Sequence, residues 1–94
     1  MDETVHISSL IVQIQPRNID ALQSQCLVYA SVETRVEIAA ADPAGKVVIL
    51  LETPSRRHIV DFIDWLQLLE GVLSVSMVYH HAEPIAELER EVAE

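Results

Sequence analysis

The residues of this chain that could take part in bond chemistry are few, and their spacing argues against it. Cys26 is the single thiol. It shares a helical stripe with Ile19, Leu22 and Leu27, where a thiol acts as a small buried hydrophobe. Having no disulfide partner of its own, it points to a reducing compartment. His80, His81 and Glu83 come nearest to a metal-ligand cluster. Adjacent strand residues point to opposite faces, however, so the two imidazoles do not share an ion. Gln15-Pro16-Arg17, after the first strand, offers none of the paired thiolates that clamp a soft metal in such a turn. Arg17 and Asn18 lack the neighbouring glycines that let backbone amides wrap a phosphate, and Arg56-Arg57 reads as a solvated pair. No Ser/His/Asp or Cys/His constellation is spaced for nucleophilic catalysis. These residues predict a protein that is not an enzyme and that carries no cofactor and no metal.

What remains is binding. Fifteen acids against six lysines and arginines give a formal net charge of −9. That charge repels phosphate backbones and anionic headgroups, which excludes nucleic acid and membrane surfaces and favours a cationic partner. No apolar run approaches the roughly 20 residues that cross a bilayer. The opening MDETVHISS carries acids in place of a basic leader, so a cytoplasmic location without membrane insertion is expected.

A chain of 94 residues, half of them apolar, supports one core. Val5 to Gln15 reads as a strand, with Leu10, Val12 and Ile14 alternating against Ser9, Ile11 and Gln13. Arg17–Val28 follows as a helix. Ser31 to Ala40 alternates again, placing Glu33, Arg35 and Glu37 outward. Asp42-Pro43-Ala44-Gly45 makes a hairpin turn into KVVILLE, with Val48 and Leu50 outward and Val47, Ile49 and Leu51 inward. Thr53-Pro54 caps a second helix whose apolar stripe is Ile59, Phe62, Ile63, Leu66 and Leu69, ending at Gly71. EGVLSVSMVYHH then forms a strand with Leu73, Val75, Met77 and Tyr79 toward the core and Ser74, Ser76, Val78 and His80 away from it. Residues 1–82 form the domain, and 83–94 form an acidic tail, a frayed helix or disordered segment.

The order βαββαβ predicts an α+β, ferredoxin-like fold: a four-stranded antiparallel sheet in the order 4-1-3-2, with two helices on one face. The other face is then bare. Ser9, Ile11, Gln13, Val48, Leu50, Ser74, Ser76 and Val78 make its floor, and Glu33 and Glu37 on the second strand make its acidic rim. RNA-binding sheets of this topology carry stacking aromatics where this one carries Ile11, Val48 and Leu50. A bare, partly apolar floor is a place to lay a ligand. The other reading of the same residues is a small ligand-sensing or dimerisation module, although Gln15-Pro16-Arg17 lacks the glycine-bearing loop such modules use.

HISSLIVQIQP, GKVVILLE and above all EGVLSVSMVYHH resemble the NapD family, over about His6 to His81. The resemblance implies a cytoplasmic assembly chaperone that binds the twin-arginine signal peptide of NapA, the catalytic subunit of periplasmic nitrate reductase. It implies restraint of export until the molybdenum cofactor is loaded into that client. It also implies a protein with no cofactor or enzymatic activity of its own. The expected state is a monomer, with a weak dimer as the other possibility.

Overall fold

The computed structural model describes residues 4–84. Strand β1 (Thr4–Ile14) leads through a 3₁₀ turn (Pro16–Asn18) into helix α1 (Ile19–Tyr29). Strands β2 (Arg35–Asp42) and β3 (Lys46–Thr53) follow, then α2 (Arg56–Gln67) and β4 (Val72–Pro84). The sheet order is β2-β3-β1-β4, every neighbouring pair antiparallel, as the element order predicts. β4 continues through Glu83 and Pro84, which pair with Val5 and Thr4, so the sheet extends past the boundary expected at 82. The rest of the tail lies outside the described residues.

Strand alternation decides what the core contains. Leu10, Val12 and Ile14 from β1 and Val47, Ile49 and Leu51 from β3 are buried on one side of the sheet. There they meet Leu22 and Cys26 of α1 and Ile59, Phe62 and Leu66 of α2. Each large side chain buried this way contributes about 1.5–3 kcal/mol. Tyr29 locks the helices together, its ring 4.9 Å from Phe62 and 4.5 Å from Trp65. Burial pushes the Cys26 thiol up to about 11, as befits a packing residue. Leu27, assigned to the same stripe by spacing, is instead 70% exposed.

Local polar contacts set the element ends. Ser31 Oγ accepts from the Thr34 amide (3.1 Å) and the Ser31 amide donates to the Thr34 carbonyl (2.8 Å). Residues 31–34 are therefore folded into a turn, and β2 starts at Arg35, not at Ser31 as the alternation predicts. Thr53 is buried at the end of β3, where it pairs with His6. Ser55 is the residue that caps α2, accepting from the His58 amide at 3.4 Å. Gly45 (φ +112°) and Gly71 (φ +86°) occupy the two turns that need a left-handed residue. Their carbonyls accept from the amides of Ile14 (2.8 Å) and Gln15 (2.9 Å), the last residues of β1 and the one beyond.

Candidate functional site

Both helices lie on the core side, and none of the described residues covers the opposite face of the sheet. Cross-strand partners share a face, so the pairing register lays that face out as four rows running from β2 to β4. The first row is Arg35, Glu52, Ile7 and His81; the second is Glu37, Leu50, Ser9 and Tyr79. The third is Ala40, Val48, Ile11 and Ser76, and the last is Asp42, Lys46, Gln13 and Ser74. The middle rows are small or apolar. Charge collects toward β2 and at the sheet ends.

The expected floor residues Ser9, Ile11, Gln13, Val48, Leu50, Ser74 and Ser76 are thus brought together, with Glu37 at their β2 side. Glu33 is not among them. It sits in the turn ahead of β2, 3.9 Å from His58 at the start of α2. The acid that borders the floor beside Glu37 is Glu52, one strand further in. Arg35, Glu37, Leu50, Glu52 and Ile7 line a hollow of about 320 Å³ at this corner. Among the described residues neither Glu37 nor Glu52 takes part in an ion pair; the contacts of that kind are His58 with Glu33 and His81 with Glu83.

β4 departs from strict alternation. Ser9 pairs with Tyr79 and Leu10 with Met77, which leaves Val78 as an extra residue; a second irregularity leaves Leu73 unpaired between Ser74 and Val72. Leu73 is accordingly 66% exposed, not in the core. Beyond Val78 the faces exchange. Tyr79, expected inside, joins the open face, and His80, expected outside, turns to the helix side and stacks on His6 (ring centroids 5.2 Å apart). Such a bulge re-aims everything after it. Val78 itself, 56% exposed, is the hinge of that exchange and not a regular floor position.

Tyr79 was thus missed by residue spacing, and no local signal marks the bulge that exposes it. Glu52 was placeable from the parity of β3 alone. His80 and His81 do fall on opposite faces: His81 lies 3.4 Å from Glu83 on the open side, while His80 Nε2 lies 3.0 Å from His6 Nδ1 on the other. Among the described residues no three His, Cys, Asp or Glu side chains are grouped to hold a metal ion. No described helix is long and apolar enough to cross a membrane. A shallow floor without a nucleophile or a ligand cage can hold an elongated partner by contact and charge.

The fold is that of a small α+β domain of the ferredoxin-like class with one face of its sheet free of helices. Comparison with known proteins narrows the class: the family described as NapD protein matches residues 5–84, and the chain belongs to that family. It is 30% identical over 77 residues to the chaperone NapD of Escherichia coli (strain K12), covering 82% of this chain and 85% of that one. The chaperone NapD of Haemophilus influenzae is 29% identical over 79 residues, covering 83% and 81%. The solution structure of the E. coli Tat proofreading chaperone protein NapD superposes with a TM-score of 0.70 at 28% identity, over 88% of this chain and 84% of that one.

Proposed function

We propose that this protein is a cytoplasmic chaperone that binds the twin-arginine signal peptide of NapA on its open sheet face and so restrains export until cofactor loading is complete. The observation that supports this reading is the floor of Ser9, Ile11, Val48, Leu50, Ser76 and Tyr79, left uncovered by the described residues, beside two carboxylates, Glu37 and Glu52, that form no ion pair among those residues although Arg35 stands across from Glu52. A signal peptide of this kind joins a basic segment to an apolar one, and the face offers complements to both. The apolar stretch covers Ile11, Val48, Leu50 and Tyr79, with about 25 cal/mol for each Å² of apolar area removed from water. Guanidinium groups approach Glu37 and Glu52. Exposed pairs contribute only about 0–1 kcal/mol each, so contact supplies most of the affinity and charge supplies selection. A leader held on this floor is hidden from the translocase.

The test is calorimetric titration of the NapA signal peptide. Ile11→Glu and Ser76→Arg, both in the third row, should weaken binding at least tenfold, given that a hot-spot change at a small interface costs about 1–2 kcal/mol or more. Unchanged affinity in folded variants would remove the peptide from this face.

A further inference from the structure

The helix side of the sheet carries a second groove. Arg56, Ile59, Val60 and Ile63 recur at helical spacing along one side of α2 and face Met77 and His80 of β4 across a hollow of about 250 Å³. Among the described residues its apolar walls are left open: Val60 is 54% and Met77 48% exposed. At its polar end three basic groups converge. His80 stacks on His6, and the His6 imidazole is held below its ordinary value by burial, then by His80 and Arg56. None of the lining residues is acidic. Of the described acids nearby, Asp61 acts on Tyr29 on the α1 side, Glu83 meets His81 on the open face, and Asp64 is exposed on α2 one turn beyond Val60, outside the lining. In a chain of net charge −9, a basic corner at the end of an apolar groove has the opposite polarity to the open face. A second copy of this chain is the poorer occupant because two bodies that each carry a net charge of −9 repel as wholes.

We propose that the groove between α2 and β4 is a separate docking site for a partner-protein segment in which a carboxylate stands beside leucine-like side chains. The carboxylate meets Arg56 and His80, while the apolar side chains cover Val60, Ile63 and Met77. A charge-assisted contact of this kind fixes orientation as well as affinity, and the groove makes no use of the sheet face assigned to the leader.

The probe is an acetylated, amidated Leu-Leu-Asp-Leu peptide, compared with its Leu-Leu-Asn-Leu counterpart and titrated into the full chain while amide and methyl resonances are followed by NMR. The acidic peptide should perturb Val60, Ile63, Met77 and His80 and bind about fivefold to tenfold more tightly than the amide version, the margin of a charge-assisted over a neutral hydrogen bond. Arg56→Gln, an exposed position outside the core, should erase that preference. Equal affinity of the two peptides, a preference that survives Arg56→Gln, or perturbations absent from the groove or centred on Ile11 and Leu50 would each overturn the assignment.

Discussion

Gly71 is fixed by two independent demands. Its φ of +86° is a region L side chains rarely adopt, and a Cβ there would stand 2.3 Å from Asn18 Oδ1. Gly71→Ala should therefore cost about 1–3 kcal/mol in urea unfolding. Adding Asn18→Ala should recover only the part due to the clash, and full recovery would show that the backbone angle is not strained. The stacked His6 and His80 make a second residue-scale case. Burial first, then His80 and Arg56, holds the His6 pKa below the ordinary histidine value of 6.5. The folded state thus takes up that proton less readily than the unfolded one. Stability is complete above about pH 6.5 and is lost as pH falls through the lower, folded-state value. Thermal midpoints should fall between about pH 7.5 and pH 5, and less steeply in His6→Gln; an identical slope in that variant would free His6 from the effect.

β4 shows where pattern and structure part. β1 and β3 were legible because their period of two is unbroken: Leu10, Val12, Ile14 and Val47, Ile49, Leu51 are buried as their alternation predicts. The same alternation in β4 holds only from Ser74 to Met77, because Leu73 and Val78 each insert a residue that β1 does not match. A bulge leaves no trace in composition, so Tyr79 and His80 could not be assigned by counting. The turn at Ser31–Thr34 failed to register for another reason. Val32 and Thr34 extend the strand-like alternation backward, while the hydrogen bonds of Ser31 override it and carry Glu33 off the face. The bulge yields its own prediction. Deleting Val78 leaves Met77 opposite Leu10 and Tyr79 opposite Ser9, the pairs already present. The variant should fold within about 1 kcal/mol of the parent by denaturant midpoint, since only an unpaired, exposed residue is removed. A loss of several kcal/mol would place the irregularity elsewhere.

At the scale of the whole molecule, chemistry is divided between the two sides of one sheet. Acids border the open side and the basic corner lies on the other, within an overall charge of −9. A field of that sign draws a basic leader inward before any contact forms, and salt screens it over roughly 8–10 Å at ordinary ionic strength. Raising salt from about 50 to 500 mM should slow association of the signal peptide in stopped-flow measurements several-fold, with a smaller change in dissociation. A salt-independent on-rate would reduce the acids to solubilising groups. The two glycine turns bear on the same encounter. Gly45 and Gly71 each hold the far end of β1 by a backbone hydrogen bond, whereas its beginning at Thr4 is secured by Pro84 and the strand ladder. The floor proposed for the leader is thus braced from both directions, by the two glycine carbonyls just past Gln13 and by Pro84 across from Thr4, so an arriving arginine would meet a rail already tied down at each end.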